Sequence, residues 1–134
     1  MSKFDISQFE TVDTAALEVK KPNGDDLLVD GEKVVIHLYG PGSKEYTNAK
    51  YKFENATQAR SIDMIRGKLK KNIAEESAQL QAERLAACTK SIDNFPIDGG
   101  ALALYSNPKL SYITDQVIKF LDDTENFMPS LSTR

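Results

Sequence analysis

The sequence predicts an α+β domain in which helix predominates: a small N-terminal antiparallel β-hairpin or sheet followed by three main helices. Three observations predict it. Residues 14–40 hold short β-branched runs separated by turn residues. Everything after Gly42 places apolar side chains at three- and four-residue steps. Cap residues and glycines divide that stretch into separate helices. The chain has 134 residues, 40% hydrophobic and 28% charged, which fits a single domain able to bury its own core.

Residues 1–13 form a polar stretch with scattered Phe4, Ile6, Phe9 and Val12, expected to be a loosely ordered arm. Ala15, Leu17 and Val19 alternate with Ala16, Glu18 and Lys20, the period of a strand. Asn23-Gly24 is the strongest hairpin signal because both residues tolerate positive φ. Leu27-Leu28-Val29 is a second apolar run closed by Asp30-Gly31, and Lys33 to Tyr39 reads as a third strand ended by Gly40-Pro41-Gly42. Ser43 then caps a first helix near 43–66, with Tyr46, Ala49, Phe53, Ala56, Ala59, Ile62, Ile65 and Leu69 as a slowly drifting apolar stripe. Asn72 and Glu75 open a second helix near 72–92, whose apolar side is Ile73, Leu80, Leu85, Cys88 and Ile92. A helical turn covers Ala101 to Tyr105. Asn107-Pro108 starts a third main helix near 108–124, with Ile113, Val117, Phe120 and Leu121 on one face. Residues 125–134 are expected to fray. The expected core includes Ile36, Leu38, Phe53, Ile65, Leu85, Cys88, Val117 and Phe120.

Chemistry-bearing patterns are scarce. One cysteine, Cys88, excludes an internal disulfide, and one histidine, His37, excludes a zinc site built mainly from His and Cys. His37 lies between Ile36 and Leu38 with no nucleophile supplied by a motif, and Cys88 lies on an apolar helix side, so both read as structural. Asp25-Asp26, Glu75-Glu76 and Asp122-Asp123 are adjacent pairs whose side chains diverge rather than converge on a metal. Gly40-Pro41-Gly42-Ser43-Lys44 lacks the spacer of a phosphate-binding loop. No catalytic residue, metal or cofactor is therefore expected. The N-terminal residues lack the apolar stretch of a secretory signal, and no apolar run approaches a membrane span.

Charge is unevenly spread. Residues 1–42 carry four basic and eight acidic side chains, a net of −4; residues 43–92 carry ten and six, +4; residues 93–134 carry three and six, −3. Such alternation argues against a general nucleic-acid binder and suits self-association, basic middle against acidic end. The basic cluster Arg66, Lys68, Lys70, Lys71 complements a helix C-terminus, and a small DNA-binding regulator using it is the competing reading.

Residues 102–127 carry a resemblance. Leu104-Tyr105 leads into a helix with Tyr112-Ile113 and Gln116-Val117, followed by Asn126-Phe127. This segment resembles the closing part of the tail assembly chaperones of long-tailed bacteriophages with flexible, non-contractile tails. The Asn23-Gly24 strand pair, the strand to Tyr39 and the helix opening at Gly40-Pro41-Gly42-Ser43 are similar to that family in layout. Where the family often has a tryptophan after the central helices, this sequence has Ile92, Asn94 and Phe95.

The resemblance implies a non-enzymatic protein of the host bacterial cytoplasm, absent from the mature virion. It would bind the tape-measure protein, keep it soluble and help recruit tail-tube subunits, the last through a longer frameshifted form. Homo-oligomerisation is expected, and the candidate interaction residues are Phe4, Ile6, Phe9, Val12, Tyr105, Tyr112, Gln116 and Phe127. No membrane partner is expected, and nucleic acid is disfavoured.

Overall fold

The computed structural model describes residues 5–67 and 73–129. Phe4, Lys68, Leu69, Lys70, Lys71 and Asn72, on which several expectations rest, lie outside the described residues. The chain is α+β and mainly α. Strand β1 (Thr14–Glu18) pairs antiparallel with β4 (Val35–Tyr39), Ala16 opposite His37 and Leu17 opposite Ile36. Period-two alternation sends Ile36 and Leu38 into the core, where both are fully buried.

Between these strands the chain makes two tight returns. Lys20 bridges Asp26 around Gly24, at φ +94°, and the Lys20 ammonium pairs with the Asp26 carboxylate. Strands β2 (Leu28–Val29) and β3 (Glu32–Lys33) then form a two-residue hairpin whose loop is Asp30-Gly31, at φ +52° and +80°. Positive φ at both loop positions is the geometry whose twist matches paired strands; the return expected at Asn23-Gly24 is present too, closed by the Lys20–Asp26 bridge, and Asp30-Gly31 adds a second one. The third strand expected from Lys33 to Tyr39 is split at Val34, whose N–H donates to Leu27 and whose carbonyl accepts from Val19.

Helix α1 (Lys44–Ile65) starts as expected: the Ser43 hydroxyl accepts from the Tyr46 N–H at 3.1 Å, and Glu45 lies in the first turn. Helix α2 (Ile73–Ala87) packs back along α1. The expected helix to residue 92 stops at Ala87, because residues Thr89–Asp93 form β5, antiparallel to β4. The sheet order is β1-β4-β5, so β5 covers the edge that β4 would otherwise leave unpaired. The stop is built by Thr89, whose hydroxyl donates to the Leu85 carbonyl at 2.9 Å. Ile92 is thus a strand residue, and Cys88 sits in the buried turn between α2 and β5.

Helix α3 (Gly100–Ser106), a 3-10 turn at Pro108–Leu110 and helix α4 (Ser111–Asp122) complete the layer against the sheet. Asn107 caps the 3-10 turn, its side chain accepting from the Lys109 N–H. Ile113, Val117 and Leu121 are the buried stripe of α4, and Phe120 is only half-buried. Of the segment expected to fray, residues 130–134 lie outside the described residues, while Thr124–Phe127 make a 3-10 turn that buries Phe127 completely. The Asn126 side chain donates to the Phe120 carbonyl, closing the C-terminal end of α4.

The core holds Val19, Val34, Ile36, Leu38, Leu85, Cys88, Leu104, Ile113, Val117 and Phe127. Phe53 is half-buried outside it, and Ile65 is 85% exposed, against expectation. The reason is angular. At 3.6 residues per turn, Phe53 and Ala56 lie within about 40° of Ala49 around α1, whereas Ile62 and Ile65 lie about 140° and 160° away. The drift of the stripe carries it off the face that meets α2 and onto the solvent side.

Candidate functional site

The expected interaction residues fall into two groups. Tyr105, Gln116 and Phe127 are engaged within the chain. Tyr105 is buried; its hydroxyl is 2.7 Å from the Thr89 hydroxyl and donates to it, since Thr89 already donates to Leu85. Burial pushes the Tyr105 phenol up to about 12, the Thr89 hydrogen bond opposing the shift. The Gln116 amide grips the backbone of Lys20 at both groups: Oε1 accepts from its N–H at 2.8 Å, and Nε2 donates to its carbonyl at 2.8 Å. The same Nε2 donates to the Tyr112 carbonyl at 3.0 Å. Gln116 thereby ties the end of β1 to α4. Phe127 packs edge-on to Phe120, centroids 5.4 Å apart, and against Gly40. Tyr112 is half-buried against the core.

Ile6, Phe9 and Val12 form the second group and do face solvent. Residues Ile6–Phe9 make a 3-10 turn, capped by the Asp5 side chain, which accepts from the Ser7 N–H. Those hydrogen bonds hold the Asp5 carboxyl below its ordinary value. Ile6 and Phe9 are 62% and 63% exposed. The base of this arm is fixed: the Val12 N–H donates to the Phe127 carbonyl at 2.7 Å, and Thr11 lies against Gly42.

Sequence reasoning missed the larger apolar surface, which belongs to the α1–α2 hairpin. Beyond Ala56, every described residue of α1 except Arg60 is exposed, so the far end of the hairpin stands clear of the core that Ala49, Ala82 and Leu85 join. Arg60 clasps it, Nε donating to Glu76 at 3.1 Å and Nη1 to the Ser77 hydroxyl at 2.9 Å. On the outer face of α1, Tyr51, Ile62 and Ile65 are exposed, and Met64 is exposed on the side of Phe53. Tyr51, Ile62 and Ile65 fall within about 60° of one another around the helix. On the other face, two adjoining hollows of about 140 and 330 Å³ run along the α1–α2 seam. Both are lined by Ala56 and Leu80; Ala49 and Phe53 belong to one, Ala59 and Gln79 to the other. The Arg84 guanidinium lies 5.7 Å from the centroid of the Phe53 ring.

The other chemistry-bearing side chains make the following contacts. His37 Nε2 lies 2.8 Å from Asp93 Oδ2 across β4 and β5, an exposed pair. Burial pushes the Cys88 thiol up, with Arg84 pulling the other way, which disfavours the reactive thiolate. Among the described residues no group of His, Cys, Asp or Glu could hold a metal, and no helix is long and apolar enough to cross a membrane. Of the basic cluster, only Arg66, at the C-terminus of α1, lies within the described residues.

No protein family, no curated protein and no solved structure matches this chain. The arrangement is that of a scaffold which buries its motif residues and displays apolar side chains at the far end of a helical hairpin and on a short arm.

Proposed function

We propose that this chain is a tail assembly chaperone of the long, non-contractile-tailed bacteriophage type. It binds the tape-measure protein through apolar contacts, keeps it in solution in the bacterial cytoplasm and helps bring tail-tube subunits to it. The observation that carries this reading is the outer face of α1, where Tyr51, Ile62 and Ile65 stand exposed on a helix held away from the core. An extended helical client presents long apolar stripes, and such a stripe is matched by an exposed apolar helix face. Repeated weak contacts along one long client give avidity without a deep pocket. The resemblance over Leu104–Phe127 supports the same class.

Co-expression with an amphipathic helical segment of a tape-measure protein tests the proposal. The segment is expected in the soluble fraction with the parent chain and in the pellet with an Ile62→Asp/Ile65→Asp variant. Both side chains are exposed, so the variant keeps its melting temperature. A segment equally insoluble with and without the parent chain overturns the reading.

A further inference from the structure

We propose that the outer edge of β1 accepts an extended segment of a partner protein in which basic and apolar side chains alternate. The edge belongs to the sheet rather than to the outer face of α1, so this inference stands or falls independently of the client reading.

Register decides which backbone groups of β1 are used within the chain. The Val19 N–H donates to the Val34 carbonyl, and the Gly40 N–H donates to the Asp13 carbonyl, so the odd-numbered positions of this strand are the ones bonded to β4. The N–H and carbonyl of Thr14, Ala16 and Glu18 therefore point the other way, to the outer edge of the sheet β1-β4-β5. Both ends of that edge are closed. The Val12 N–H donates to the Phe127 carbonyl at 2.7 Å, and Gln116 holds both backbone groups of Lys20. Between these closures the edge groups of Thr14, Ala16 and Glu18 have no partner among the described residues, and Ala16 and Glu18 are exposed. The opposite edge is guarded: β5 carries Lys90 and a register shift against β4, and both discourage strand addition. Strand β1 has neither lysine nor proline and pairs without a shift.

The surroundings choose the occupant. In the antiparallel orientation that every pair in this sheet adopts, incoming residues bonded to Thr14, Ala16 and Glu18 lie on the outer sheet face with His37. The residues between them lie beside Ala15 and Leu17, which are half-buried against the core, so this set is apolar. Charge sets the other. Residues 10–18 carry Glu10, Asp13 and Glu18 and no basic side chain. Residues 122–127, whose 3-10 turn packs against β1, carry Asp122, Asp123 and Glu125 and none either. Lys33, 3.5 Å from Glu18, and Lys119 of α4 offset only part of this. Basic side chains on the incoming strand are therefore favoured. A second copy is disfavoured, because its own β1 edge carries the same acidic side chains. Main-chain hydrogen bonds then supply affinity and the alternation supplies specificity.

The probe is a dye-labelled, end-capped peptide of alternating valine and lysine, about seven residues long, titrated with the full chain and followed by fluorescence anisotropy. It is expected to bind at or below about 100 µM chain, more weakly as salt rises. N-methylation of its lysines removes the donors that face β1 and keeps every charge; it is expected to weaken binding about tenfold or more, whereas N-methylation of its valines changes affinity by less than about threefold. Amide hydrogen exchange followed by NMR is expected to slow about tenfold or more at Thr14, Ala16 and Glu18 on binding. Ala16→Pro removes the central edge donor without touching the ladder to β4, and it abolishes binding. Glu18→Lys places a guarding charge on the edge and weakens binding about tenfold or more, both variants keeping the parent circular dichroism spectrum. No anisotropy change at about 500 µM chain overturns the proposal, as does equal binding of the two methylated peptides. Edge amides already protected in the free chain, and released on dilution, assign the edge to a second copy and overturn it as well.

Discussion

Phe127 and Gly40 form a contact whose energy can be isolated. A Cβ placed on Gly40 would come within 2.7 Å of Phe127 Cγ and closer still to Cδ1, well inside van der Waals contact. Gly40 is not at positive φ, so an alanine there meets a steric obstacle and no backbone strain. Phe127 is fully buried, and truncating it to alanine is expected to cost about 3–5 kcal/mol through lost burial and the cavity left behind. Gly40→Ala alone forces the ring aside and is expected to cost about 1–3 kcal/mol as overpacking. With the ring gone the methyl meets open space, and restricting the unfolded chain contributes about 0.4–1 kcal/mol of stability. The double variant is therefore expected to be no less stable than Phe127→Ala alone, a coupling of about 1–3 kcal/mol. Urea unfolding followed by far-ultraviolet circular dichroism and tyrosine emission measures it, the chain having five tyrosines and no tryptophan. Additive single costs, with coupling below about 0.5 kcal/mol, would refute the packing of this ring on Gly40.

Further outcomes follow from the same geometry. Gln116→Leu leaves the N–H and the carbonyl of Lys20 without their amide partner and is expected to cost about 2 kcal/mol in urea unfolding, while Tyr51→Ser on the solvent face changes stability by less than about 0.5 kcal/mol. Tyr105 holds its proton more tightly folded, to about 12, than unfolded, near 10. Its contribution is complete below pH 10 and is lost as pH rises toward 12, by up to about 3 kcal/mol; Tyr105→Phe should flatten stability across that window relative to the parent. A DNA mobility shift at low salt and micromolar protein is expected to show no complex; a complex that weakens steeply with salt would favour the regulator reading of Arg66 and its basic neighbours.

Local signals made much of the fold legible. Ser43 capping α1, Asn107-Pro108 opening the turn before α4, and the alternation that buries Ile36 and Leu38 are each decided within a few residues. What misled was decided at long range. Leu85, Cys88 and Ile92 have helical spacing, yet β4 has an open edge, and pairing residues 89–93 with it satisfies backbone groups that a longer helix would leave to solvent. Thr89, β-branched and able to cap the Leu85 carbonyl, was the available local hint. Phe127 lies beyond the last periodic stripe, and only the space at Gly40 shows why it is buried.

The exposed apolar surface was harder to read for a related reason. A motif marks residues in a fixed environment, and here that environment is the interior. Leu104, Tyr105, Ile113, Val117 and Phe127 are buried, and Gln116 and Asn126 satisfy backbone groups at the ends of β1 and α4. These residues specify the scaffold, and the exposed apolar side chains lie elsewhere, on the arm and on α1. The α1 stripe contained the missing information. Taken at 100° per residue instead of as one drifting band, it separates into Ala49, Phe53 and Ala56 toward α2, and Tyr51, Ile62 and Ile65 toward solvent. On the side away from α2, Tyr51 is separated from Ile62 and Ile65 by Glu54, Asn55 and Gln58, so the exposed apolar groups are concentrated at the C-terminal end of the helix. Ile62 and Ile65 lie beyond the Arg60 clasp that joins α1 to α2, where substitution leaves the core untouched.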